Sequence, residues 1–160
     1  MGAAIEDPPM AAGATRKSRD TDSAPYVLED QIGHLLRRAH QRHTAIFAAG
    51  MAAANLTPTQ YAALVKIRDL GQVTQNRLGR LTAMDPATVQ GVVNRLLART
   101  LVERRADPAN KRRKILTLTA AGKKLVRAAI PHGRSISEET LSPLHETERK
   151  ALLDLLGRLT

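Results

Sequence analysis

Cysteine and tryptophan are absent, and the aromatic residues are two tyrosines and one phenylalanine. Without thiols the chain can form no disulfide, no thiolate zinc site and no thiol redox switch. With few aromatics and 42% apolar residues, the core must be built from Leu, Ile, Val and Ala, which favours helices over sheets. No apolar run reaches the roughly 18 to 20 residues that a bilayer span needs, and residues 1–23 lack the apolar stretch of a secretory leader. A cytoplasmic protein with no membrane partner is therefore expected. Also missing are His-Glu-x-x-His, a Gly-rich phosphate loop and Gly-x-Ser-x-Gly, so neither catalysis nor a cofactor or resident metal is expected.

Negative charge is scarce as well. Lys and Arg number 25 against 15 Asp and Glu, a formal net charge of +10 in 160 residues, about one domain's worth of chain. Arg95, Arg99, Arg104, Arg105, Lys111, Arg112, Arg113, Lys114, Lys123, Lys124 and Arg127 crowd one stretch. Such clustering points to a polyanionic partner, nucleic acid before an anionic membrane surface.

Residues 1–23 mix Gly, Ala, Pro and Ser without periodicity and read as a disordered arm whose Arg16-Lys17 pair is basic; one folded domain follows over 24–160. From Tyr26 to Ala54, the residues Ile32, Leu35, Leu36, Ala39, His43, Ile46 and Phe47 recur on one helical face. Thr57-Pro58 starts a second helix, which Gly71 stops, and Thr74 starts a short third with Leu78 and Leu81 inward. Asp85-Pro86 starts a fourth, with Val89, Val92, Val93, Leu96 and Leu97 on its apolar side. Residues 101–105 and 114–118 then read as strands of a hairpin with a basic tip. Thr119 caps another helix, interrupted by Pro131 and Gly133, and Ser142-Pro143 starts a terminal one rich in leucine. The expected class is mainly α with a small β-hairpin. The apolar faces of the two ends, about 24–54 and 120–160, exceed what the middle, about 57–119, can cover, which predicts a homodimer.

Several segments in this order resemble the MarR family of winged helix-turn-helix regulators. They are Leu56-Thr57-Pro58-Thr59-Gln60-Tyr61, Thr74-Gln75-Asn76-Arg77-Leu78, Asp85-Pro86-Ala87-Thr88-Val89, Asn94-Arg95-Leu96-Leu97, Leu101-Val102-Glu103-Arg104 and Leu118-Thr119-Ala120-Ala121-Gly122. The resemblance implies a sequence-specific regulator, a repressor of a neighbouring operon, bound as a dimer to a pseudo-palindromic double-stranded operator. The fourth helix then enters the major groove and offers Ala87, Thr88, Gln90, Gly91, Asn94 and Arg95 to base edges. Thr74, Gln75, Asn76 and Arg77 meet the phosphate backbone. In the wing, Arg112 suits a narrow minor groove while Lys111, Arg113 and Lys114 rest on phosphates. The family's wing usually carries Asp-x-Arg, and here Asn110-Lys111-Arg112 stands in its place. The acid that clamps a recognition-helix arginine, here Arg95, is thereby lost; either the wing docks more loosely or Asp107 substitutes.

Relatives of this kind often bind small aromatic acids between their dimer helices and the winged helix. The segment His34 to His43 is rich in imidazole and guanidinium, and Arg38, His40, Arg42 and His43 form a coherent set for a hydroxylated benzoate- or nicotinate-like carboxylate. Two alternatives stand beside it. In one, His43 is a core histidine at the dimer interface and the arginines are a solvated or DNA-facing stripe; in the other, His40 and His43 bind zinc with a distant acid or His145, giving a metal-responsive regulator. A non-specific nucleic-acid-binding protein is the rival to the whole reading, since a charge of +10 serves any polyanion.

Overall fold

The computed structural model describes residues 25–107 and 110–160, with the side chains of 111–113 outside the description. The arm expected over 1–23 lies outside the described residues. A 3-10 turn at Leu28–Asp30 leads into α1 (Ile32–Gly50). There follow α2 (Pro58–Leu70), β1 (Gln72–Thr74), α3 (Gln75–Leu81), α4 (Pro86–Ala98), β2 (Val102–Asp107), β3 (Asn110–Leu118), α5 (Ala120–Thr140) and α6 (Glu146–Gly157).

The helix starts obey the capping chemistry of the sequence. The Thr57 hydroxyl accepts from the Gln60 amide, and the Gln60 side chain accepts in return from the Thr57 amide. Thr74 caps α3 through the Arg77 amide, Asp85 caps α4 through the Ala87 and Thr88 amides, and Thr119 caps α5 through the Gly122 amide. Pro58 and Pro86 occupy first-turn positions, where a missing N–H costs nothing.

Around these helices β3 is the centre of a three-stranded antiparallel sheet of order β1-β3-β2. Val73 and Arg104 both pair with Leu116, from opposite sides, so the three side chains share one sheet face. That face closes on a core of Leu64, Ile67, Leu78, Val92, Val93, Leu96 and Val126, all at most 1% exposed. The close approach of α5 to the end of α4 depends on Gly122, where a Cβ would fall on the Leu101 carbonyl oxygen.

Five sequence expectations are corrected. The first helix is Ile32–Gly50, not Tyr26–Ala54; residues 51–55 form turns, with Asn55 in a left-handed conformation at φ 48°. The sheet has a third strand, β1, too short to show a period of its own and formed by pairing with β3. Leu81 is 43% exposed because it sits in the last turn of α3, past the core contact made by Leu78. Helix α5 runs unbroken through Pro131 and Gly133. Pro131 is exposed, and the carbonyl it leaves without a helical donor, on Arg127, lies on the same exposed face, where water can serve it. The terminal helix begins at Glu146, three residues after Pro143, because the Glu148 carboxylate accepts the His145 amide and sets the start there.

Candidate nucleic-acid interface and ligand cavities

Helices α3 and α4, joined by a tight turn, form a helix-turn-helix, and the β2-β3 hairpin stands beside it as a wing. Val89, Val92, Val93 and Leu96 bury one side of α4. The other side turns Ala87, Thr88, Gln90, Asn94 and Arg95 to solvent, with Gly91 half-buried and no atom within 4 Å of where its Cβ would stand. Asn76 and Arg77 are exposed at the start of α3, while Thr74 and Gln75 are half-buried. On β3, Lys114 is exposed; the side chains of Lys111, Arg112 and Arg113 lie outside the described part of the structure.

These positions are linked. Arg104 on β2 donates from Nη2 to the Gln75 side-chain oxygen at 3.3 Å. Gln75 donates from Nε2 to Gln90 Oε1 at 2.7 Å, and Gln90 donates from Nε2 to Asn94 Oδ1 at 2.8 Å. Gln75, expected to touch phosphate, instead stands inside this chain between wing and reading helix. At the other end of α4, the Arg99 guanidinium holds two carbonyls, Asn55 at 2.6 Å and Ala54 at 3.1 Å. In the sequence Arg99 and Arg104 stand in a basic cluster in which neither has an evident partner. Their partners lie far away in the chain, and no local signal connects them.

Electrostatics at the interface follow from the same contacts. The Thr88 hydroxyl, then the Thr88 and Ala87 amides, hold the Asp85 carboxyl below its ordinary value of 3.8. Hydrogen bonds from Arg105 and then Thr117 lower Glu103 likewise, and the Glu103–Arg105 pair measures 2.7 Å. Asp107 and Asn110 pair across the hairpin end, at the position where the family's wing acid is replaced.

Several cavities flank α5 among the described residues, and two of them bring together polar groups of interest here. The first, about 380 Å³, lies between α1, α5 and α6 and is lined by His40 and His43 together with Thr140, Leu36, Leu152 and Leu156. His43 Nδ1 lies 3.0 Å from the Thr140 hydroxyl, and its ring packs 6.1 Å from that of Phe47. The proposed cluster of Arg38, His40, Arg42 and His43 is split by this geometry. Arg38 is exposed, almost opposite the stripe of Leu36, Ala39, His40 and His43 on α1. Arg42 donates to the Glu139 carbonyl at 3.2 Å and to Ser142, bracing the end of α5. For the zinc alternative, no group of three or more His, Asp or Glu is placed to hold a metal ion among the described residues.

The second cavity, about 510 Å³, lies between α2 and α5 and unites Tyr61, Arg68 and Arg134. Gly133 makes it possible, since a Cβ there would strike the Tyr61 hydroxyl. This set has no signature in the sequence, because its members come from two helices and their pairing is a fact of tertiary packing.

A helix-turn-helix with a two-stranded wing, enclosed by long helices from both ends of the chain, defines a winged-helix protein. The model of the MarR family matches residues 54–113. The HTH-type transcriptional repressor NicR of Pseudomonas putida is 43% identical over 150 residues, covering 94% of this chain and 95% of the relative. A probable transcriptional regulator from Pseudomonas aeruginosa superposes with a TM-score of 0.81 at 48% identity, over 84% of this chain and all of that one. Bordetella bronchiseptica BpsR, whose DNA binding is regulated by 6-hydroxynicotinic acid, superposes with a TM-score of 0.81 at 40% identity, over 85% of this chain and 97% of its own. The chain belongs to the MarR family: it is a DNA-binding transcriptional regulator and not an enzyme.

Proposed function

We propose that this protein is a repressor that binds a pseudo-palindromic operator as a homodimer and is released by a hydroxylated benzoate- or nicotinate-like acid. The observation that carries the reading is the exposed polar face of α4, Thr88-Gln90-Asn94-Arg95, backed by buried valines and flanked by a basic wing. Ala87, Thr88, Gln90, Gly91, Asn94 and Arg95 read bases, and Thr74, Asn76 and Arg77 position the backbone. Arg112 enters the minor groove beside Lys111, Arg113 and Lys114. Helices α1, α5 and α6 form the dimer. The names of the relatives support the nicotinate side of the effector class, NicR and the 6-hydroxynicotinic acid of BpsR.

Gel shifts across a salt series test the DNA contact. Arg112→Ala is expected to weaken operator binding at least about tenfold and to lower the salt slope by about one unit. An unchanged midpoint at every salt concentration overturns the wing assignment. A ratio near one between operator and random DNA selects the non-specific rival instead.

Two of the cavities beside α5 are candidate seats for the proposed effector, and the chemistry favours different groups in each. The His40-His43-Thr140 cavity offers imidazole and hydroxyl on an apolar bed; in the Tyr61-Arg68-Arg134 cavity Arg68 is paired with Asp69, and the Arg134 guanidinium is offered to the carboxylate with a phenol for the ring substituent. Calorimetry with 6-hydroxynicotinic acid separates them. His43→Ala abolishes the heat if the first is occupied and Arg134→Ala if the second is. Heat from zinc alone, with none from the acid, selects the metal-responsive alternative.

A further inference from the structure

We infer that Arg104 is a specificity-determining positioning residue: from the wing, it fixes through Gln75 which hydrogen-bonding groups Gln90 and Asn94 present to a base pair. The inference rests on the reading above, in which α4 faces DNA bases.

A primary amide can be turned either way about its last bond, exchanging donor for acceptor, so an isolated Gln or Asn on a DNA-facing helix presents both. Here the choice is removed in sequence. A guanidinium has donors only, so the group on Gln75 that faces Arg104 must be its oxygen. That turns the Gln75 NH₂ towards Gln90, which must answer with its own oxygen at 2.7 Å. The Gln90 NH₂ then faces Asn94, which answers with Oδ1 at 2.8 Å. Both protons of the Asn94 NH₂ remain for the groove. The cation therefore polarises a row of three neutral amides and leaves a donor at its end.

The geometry that permits this is specific. Arg104 shares a sheet face with Val73 and Leu116, both buried, and stands at the exposed rim of that face, where the start of α3 passes. Gln75 is the first residue of α3, held there by the Thr74 cap. Gln90 and Asn94 are four apart and so stand on one side of α4. A donor-terminated row prefers base edges rich in acceptors, the N7 and O6 of guanine or the O4 of thymine, over the amino group of cytosine. Without Arg104 the row has no fixed polarity, and that preference is lost while the phosphate contacts remain.

The test is selection from a pool of random-sequence duplexes, followed by affinity measurements on every single-base variant of the selected site. Wild type, Arg104→Gln, Arg104→Lys and Lys114→Gln are compared. Gln removes the charge and can donate or accept, whereas Lys remains a pure donor. Arg104→Gln is expected to lose about fivefold or more of the discrimination at one base pair of each half-site, with the other positions unchanged. Arg104→Lys restores that discrimination. Lys114→Gln weakens all sequences alike. In the free protein, side-chain amide resonances of Gln75, Gln90 and Asn94 move in Arg104→Gln and return in Arg104→Lys. A wild-type base profile in Arg104→Gln, merely weakened throughout, overturns the inference and leaves Arg104 as a phosphate contact. If wild type itself selects no motif, the base-reading function falls, and this inference with it.

Discussion

At the scale of single residues, Asp85 couples the start of α4 to pH. Its carboxylate accepts from two amides and the Thr88 hydroxyl, and these contacts depress its protonation. A depressed folded value means that the contribution is present above the unfolded value near 3.8 and is lost as pH falls through the lower, folded one. The melting temperature of wild type is therefore expected to exceed that of Asp85→Ala by a constant margin at neutral pH, and the margin to shrink below about pH 4. A margin that is flat down to the acid transition counts against the cap. This cap was legible in the sequence because Asp-Pro at a helix start has a local meaning. So were Thr57, Thr74 and Thr119. The tie from Arg104 to Gln75 was not, because a side chain's partner is chosen by the fold and not by its neighbours in the chain.

At the scale of elements, periodicity located the helices and the two long strands, and erred where tertiary structure overrides local preference. Pro131 is the plainest case. A proline inside a helix costs about 3 kcal/mol relative to alanine, yet α5 has 21 residues and packs along α1, and the proline faces outward. The long contact outweighs the one lost hydrogen bond. Pro131→Ala is thus expected to raise stability by about 1 to 3 kcal/mol without changing the fold, measured by urea unfolding with an unchanged slope. A loss of stability would show that the proline relieves some strain in α5. Strand β1 illustrates the opposite limit: Gln72-Val73-Thr74 becomes a strand only because β3 is there to receive it.

At the scale of the whole molecule, this single chain leaves apolar surface uncovered where the sequence analysis expected a second copy. Helix α6 has no buried residue, and Leu153 is 57% exposed, as Ile32 is at 65% on α1. Leu153→Glu is expected to shift the particle from twice 17.4 kDa towards a single chain in light scattering, and to cost operator affinity without touching a DNA-facing residue. A wild-type protein that scatters as one chain refutes the dimer. In the proposed dimer Arg99 takes on a wider meaning. It ties the C-terminal end of α4 to the Ala54 and Asn55 carbonyls just beyond α1, so the reading helix is braced against the end of a helix proposed to form the dimer. A small molecule that alters how two such chains meet is then expected to change the phase between the two reading heads and to leave each head's base preference intact. Adding one base pair between half-sites turns the second by about 35°, so on the proposed reading a one-base-pair insertion in the operator is expected to weaken binding by the same change of phase that the effector is proposed to cause.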